Sequence, residues 1–188
     1  MILSEQEKNE LEQIYQLFLN NEKIKKMTHW DKNSLFAFVE NKLGKSGSAL
    51  FCDDLDDEWA DFIEISDSGV TFFVCKYKHS VENSKAASIF QDVVGQAIKN
   101  LGNTIPTHGQ LNRKSDKWLE KHDRTNIPRT KNKDDISSYV KKWENNMMNP
   151  SFKKTMCLVV NFLKKKDFIS QINDLRAFLS SGKKNKQK

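Results

Sequence analysis

The sequence predicts an α/β fold: a mixed central sheet flanked by helices. Three observations carry that expectation. The runs ALFC (49–52), ADFIEIS (60–66) and VTFFVCKYK (70–78) are joined by connections too short for crossovers, so they form an antiparallel three-strand meander. Apolar residues at helical spacing lie on both sides of that meander. TMCLVVNFL (155–163) then supplies a later strand, apolar nearly throughout and therefore expected to be buried on both faces.

The elements follow in order. Ser4 and Glu7 make a capping box, and Leu11, Ile14, Tyr15 and Phe18 recur at helical spacing, which predicts a first helix over 4–26. A second helix starts at Ser34 in SLFAFVENKLG and stops at Gly44 as its C-cap. KSGS turns into the first strand, and SDSG joins the second to the third. Ala86, Ile89, Phe90, Val93, Ala97 and Leu101 mark a helix over 84–101, ended by Gly102 and Asn103. Residues 103–133 read as a long basic connection with one short helix around Trp118. Ile136, Tyr139, Val140, Trp143 and Met147 mark a helix closed by Asn149 and Pro150. Phe168, Ile169, Ile172, Leu175 and Leu179 define a last helix, ended by Gly182. The chain reads as a single domain over 1–182 with a disordered basic tail over 183–188.

At 188 residues, 37% hydrophobic and 30% charged, the chain has the length and composition for one soluble core. No apolar run reaches membrane-spanning length, and MILSEQEKNE lacks the layout of a signal peptide, so the expected location is the cytoplasm. Cys52, Cys75 and Cys157 fall in strand-like runs with no zinc or redox spacing and read as buried, reduced thiols. His29, His79, His108 and His122 form no ligand pair. Leu111–Lys133 holds eight Lys/Arg against three acids, and the tail KKNKQK adds four lysines to a chain of net charge +6. Such segments favour phosphate backbones, with a solvated lysine-rich surface as the plainer alternative.

Acids and a lysine stand at matched ends of neighbouring strands. Asp61 sits near the start of the second strand and Lys76 near the end of the third, so antiparallel pairing through the 66–69 turn brings those ends together. By alternation Asp61, Ile63 and Ile65 share one face, and Phe72, Val74 and Lys76 share a face of the next strand. An acid and a lysine ending apolar rows are expected to be paired. Glu58 lies three residues before Asp61, where a turn can aim both carboxylates at one point. Asp53, Asp54, Asp56 and Asp57 read as solvated loop acids on the same rim. Such a cluster suits Mg²⁺, held by one or two carboxylates together with water and phosphate. A lysine beside it can orient an attacking water or stabilise charge on a phosphate. The plainer readings are an edge-strand gatekeeper for Lys76, a solvated helix position for Gln96 and core tryptophans at Trp59, Trp118 and Trp143.

Glu58-Trp59-Ala60-Asp61, then Phe73-Val74-Cys75-Lys76, then Gly95-Gln96-Ala97 on a helix resemble the motifs of the PD-(D/E)XK nuclease superfamily. The likeness is to a bacterial branch associated with helicase and defence proteins, and it spans roughly residues 30–180. It implies a restriction-endonuclease-like fold and a metal-dependent nuclease acting on phosphodiester bonds, foremost in double-stranded DNA. Asp61 would be the central Mg²⁺ or Mn²⁺ ligand, Glu58 a second ligand, Lys76 the catalytic lysine and Gln96 a contact from the following helix. Glu40 is a weaker candidate acid from the early helix. A helicase or other ATPase, another defence protein or a second copy of the chain would be partners. Two positions depart from the family pattern: Ala60 replaces a proline, and Val74 stands where the family has an acid. Glu58 then supplies the missing ligand, or the chain is an inactive nuclease-fold module that binds nucleic acid or docks on a partner.

Overall fold

The computed structural model describes residues 5–78, 86–131, 135–164, 166, 168–170, 173 and 177. It contains a five-stranded mixed sheet in the order β4-β1-β2-β3-β5. The central strands β1 (Ala49–Cys52), β2 (Phe62–Ser66) and β3 (Gly69–Lys76) form the expected antiparallel meander. Their alternation builds two cores. Ala49, Phe51, Ile63, Ile65, Val70, Phe72 and Val74 point to one face, and Leu50, Cys52, Phe62 and Phe73 to the other.

The first face is covered by α3 (Ala86–Lys99) through Val93 and Ala97, by α4 (His108–Trp118) through Leu111 and Trp118, and by α5 (Ile136–Asn146) through Val140 and Trp143. Trp118 stacks on Phe51 with ring centroids 4.5 Å apart, and Trp143 meets Phe72 edge-on at 5.7 Å. The second face is covered by Trp30 and by α2 (Leu35–Phe38), which continues as a π-helical turn over Val39–Leu43. Ser34 caps α2 by accepting from the N–H of Ala37. Helix α1 (Glu5–Lys25) precedes these elements and leaves Tyr15, Leu17 and Phe18 exposed.

Three expectations need correction. The late strand, β5 (Lys153–Val160), pairs parallel with β3 but lies at the sheet's edge. It contributes to both cores, yet of its side chains only Val159 is fully buried, because no described strand flanks its outer side. Cys157 on β5 and Cys75 on β3 are accordingly only partly buried, and Cys52 alone among the thiols is buried. The basic connection is also more ordered than the sequence suggests. It contains the eleven-residue α4, closed at its start by a Thr107–Gln110 capping box, and the short strand β4 (Thr130–Lys131), which pairs with β1. The predicted last helix and tail fall largely outside the described residues, as does His79. Among the described residues no helix is long and apolar enough to cross a membrane.

Gly69 opens β3 where β5 begins. A Cβ there would lie 2.2 Å from the carbonyl oxygen of Lys153, so glycine is what allows the two backbones to approach. Gly69→Ala is expected to destabilise the protein by about 2–3 kcal/mol, read from the urea midpoint, through the forced separation of β3 and β5. Gly95→Ala, whose added methyl would meet nothing within 4 Å on the exposed side of α3, is the control, expected to stabilise by about 0.5–1 kcal/mol through helix propensity.

Candidate metal centre

The acidic loop between β1 and β2 is built around a buried side chain. Asp53 is 0% exposed. Its carboxylate accepts from the Trp59 N–H at 2.8 Å, from Trp118 Nε1 at 2.8 Å and from Lys114 Nζ at 3.1 Å. Lys114, itself buried, also donates to the Asp57 carbonyl at 2.6 Å and to Asp57 Oδ1 at 3.2 Å. Its ammonium lies 5.2 Å from the centre of the Trp59 ring. The Asp53 N–H donates to the Asp61 carbonyl at 2.9 Å and closes the base of the loop. Asp53 is therefore a structural anchor, a correction to its reading as a solvated acid.

That loop brings three carboxylates together. Asp54, Glu58 and Asp61 each present an oxygen, all within 4.8 Å of one another. Each acid is oriented by a different element. Asp61 Oδ2 accepts from the N–H of Cys75 at 2.7 Å. The β2–β3 ladder ends at Phe62↔Phe73, and beyond it the Asp61 side chain takes the donor of β3 in place of a main-chain carbonyl. Glu58 Oε1 accepts from Gln96 Nε2 of α3 at 2.8 Å. Asp54 Oδ2 lies 2.9 Å from His122 Nε2. A carboxylate can only accept, so that nitrogen carries the proton. The imidazole is held edge-on by Trp30, with centroids 4.7 Å apart, and Arg129 Nη1 donates to the Asp54 carbonyl at 2.8 Å.

The electrostatics reflect the crowding. Burial foremost, then the charges of Glu58 and Asp54, pushes the Asp61 carboxyl up to about 7. Burial, with Asp54 and Asp53, raises Glu58 as well. The His122 hydrogen bond holds Asp54 below the usual carboxylate range. Among the described residues no lysine or arginine ion-pairs with any of the three. Three clustered carboxylate oxygens of this kind could hold a metal ion.

Of the residues singled out in the sequence, the structure brings Glu58, Asp61 and Gln96 together. Lys76 is exposed at the end of β3, the end that also carries the triad, and makes no ion pair with Asp61 or any other described acid. The expected pairing of these two side chains is thus not formed. Asp61 itself lies just before β2 begins, although its N–H still donates to the Phe73 carbonyl of β3 at 3.0 Å. Glu40 stands apart from the triad, 3.6 Å from Lys131 Nζ. Val74 is 0% exposed within the first core, so β3 offers no carboxylate there. Asp54 is the acid that sequence reasoning placed in solvent; its signal was a position four residues before Glu58 across a tight turn. His122, 68 residues away in the chain, had no sequence signal. Comparison of the chain with protein-family models, with curated proteins and with solved structures gives no match.

Removing Lys114 leaves Asp53 as an uncompensated buried charge. Lys114→Ala is expected to lower stability by about 3–5 kcal/mol in chemical denaturation, while Lys117→Ala on the exposed side of Asp57 changes it by less than about 1 kcal/mol. For Asp61 the linkage runs the other way. The folded chain binds the extra proton between the ordinary value of 3.8 and about 7, so ionising Asp61 costs stability as pH rises through that window. In chelator, the stability advantage of Asp61→Asn over the parent should grow between pH 5 and pH 8 by on the order of 2 kcal/mol. A constant difference across that range would refute the assignment.

Proposed function

We propose that this chain is a metal-dependent nuclease that hydrolyses phosphodiester bonds in DNA. The observation that carries the reading is the convergence of Asp54, Glu58 and Asp61 within 4.8 Å, on a sheet end that also carries Lys76, which ion-pairs with no described acid. Asp54, Glu58 and Asp61 would hold Mg²⁺ or Mn²⁺. When bound, such an ion activates a water at neutral pH and offsets charge on the scissile phosphate.

The chain's own groups divide the remaining work. The Cys75 N–H fixes Asp61, Gln96 fixes Glu58 and His122 fixes Asp54, so the three carboxylates are aimed before any ligand arrives. Lys76, which ion-pairs with no described acid, would donate to a phosphate oxygen as negative charge builds there. The motif resemblance extends the proposal to a bacterial defence or restriction setting, with a helicase or other ATPase as partner.

A second reading is favoured by one observation, the burial of Val74 at the position where related nucleases carry an acid. It makes the chain a nuclease-fold module that binds nucleic acid or a partner without cutting. Plasmid nicking in Mg²⁺ or Mn²⁺ separates the two. The nuclease reading expects cleavage that falls a hundredfold or more in Asp61→Ala and in Lys76→Ala. Titration calorimetry then distinguishes their roles, with metal uptake lost in the first and kept in the second. Cleavage that persists in Asp61→Ala, or no cleavage by the parent protein, would overturn it.

A further inference from the structure

Helix α1 is tied to the body at one end only. The Asn126 N–H donates to the Met27 carbonyl at 2.8 Å, and its side-chain amide donates to the Lys25 carbonyl at 2.6 Å, so the C-terminal end of the helix is held. Before that end the helix is bare. Every side chain from Tyr15 to Asn21 is exposed, and seven consecutive residues go round the full circumference, so the described residues cover no side of this stretch. Tyr15, Leu17 and Phe18 are each more than half exposed, and Leu19 and Ile24 are exposed as well. Tyr15, Phe18 and Leu19 stand at i, i+3 and i+4 on one face, and Leu17 and Ile24 run beside it. A lone helix of this length is marginal in water, and its stability ordinarily comes from packing an apolar face.

We propose that this face is covered by α1 of a second copy of the chain, packed antiparallel about a twofold axis. The order of charge along the helix selects that occupant. Residues 5–12 contain four glutamates and one lysine, whereas residues 22–26 contain three lysines and one glutamate. Antiparallel packing sets the acidic half of each helix against the basic half of the other, while parallel packing sets like against like. With the axis between Leu17 and Phe18, the apolar residues meet at the centre and Glu12 of each copy stands level with Lys23 of the other. The same register separates the tethered ends by about 22 Å along the helices, so the two bodies lie at opposite ends of the pair. A membrane surface is the poorer occupant. Helices that lie on membranes carry lysine and arginine on the polar face, whereas this one opens with glutamates and sets Gln13, Gln16 and Asn20 opposite the apolar face. The inference does not depend on the nuclease reading.

Sedimentation velocity of the full chain at low salt is expected to show a monomer–dimer equilibrium. A contact confined to one helix face buries less than about 1,200 Å², so the association is reversible and rises with concentration. Phe18→Asp should weaken it about tenfold or more. Glu12→Lys and Lys23→Glu should each weaken it about fivefold, and the two combined should return it to within about twofold of the parent. Positions 12 and 23 lie about 16 Å apart on one helix, too far to pair within a copy, so that restoration reports contact between copies. All three side chains are exposed, and circular dichroism with the urea midpoint verifies that the variants keep the fold. A monomer up to about 100 μM, a dimer that Phe18→Asp leaves intact, or a double reversal no better than the single ones overturns the proposal. A monomer that floats with phosphatidylcholine–phosphatidylserine vesicles and loses that binding in Phe18→Asp assigns the face to a membrane and overturns it too.

Discussion

The carboxylate of Asp53 is the constraint on which the rest of the site depends. It is fully buried, receives one main-chain N–H, one indole N–H and one ammonium, and through them ties the β1–β2 loop to α4. Taking two charges out of water is unfavourable, and it is offset only when geometry is good and the remaining donors are satisfied. Here Lys114 also reaches the Asp57 carbonyl and Oδ1, so its three hydrogens all find acceptors. The consequence for function is positional. With both ends of the loop fixed, Asp54 and Glu58 have little freedom to swing away from Asp61.

That rigidity matters because the three acids oppose their own arrangement. Like charges within 4.8 Å favour protonation, and burial foremost, with the charges of Glu58 and Asp54 adding to it, pushes Asp61 up to about 7. A flexible loop would relieve the repulsion by splaying the carboxylates into solvent. In this chain each acid is instead held by a donor from a different part of the fold: the Cys75 N–H, the Gln96 amide and the His122 ring. The protein tolerates local electrostatic strain at this cluster and offsets it with packing elsewhere, in the stacked Phe51–Trp118 pair and the Trp143 contacts beneath the loop. His122 belongs to the same design, since its ring is wedged against Trp30 and Phe36 and its proton is directed at Asp54.

How much of this was legible in the sequence follows from how local each feature is. The meander was readable because strand alternation and short turns are properties of neighbouring residues, and the same is true of Glu58 and Asp61, three positions apart. Gln96 was reached through a motif on a single helix. Asp53 and Asp54 were not separable from Asp56 and Asp57, because adjacent aspartates look alike until burial sorts them. Asp53 goes to the core, Asp54 to the triad, and Asp57 to a mostly exposed ion pair. Their partners on α4 and beyond lie 61 and 68 residues away, so no window of sequence contains the interaction. The edge position of β5 was hidden for a similar reason: an apolar run records that a strand contributes to both cores, not whether another strand covers its outer side.

The distribution of positive charge bears on the nuclease reading more than its sum does. The basic stretch after α3 looked like a track for phosphates, yet Lys114 and Arg129 are buried, Lys117 pairs with Asp57 and Lys131 with Glu40. Four of its cations thus serve the fold, which leaves Arg113, Lys121 and Arg124 as its exposed described cations. Lys76 is different. It sits at the same sheet end as the carboxylates without neutralising them, although an ammonium at their centre would relieve the repulsion directly. If Lys76 did fill that place, the acids would have no need of a metal and the lysine no hydrogen left for a phosphate. On the nuclease reading, keeping the two apart leaves an anionic cluster and an ammonium at one end of the sheet, which a phosphodiester bridged by a divalent ion would satisfy together.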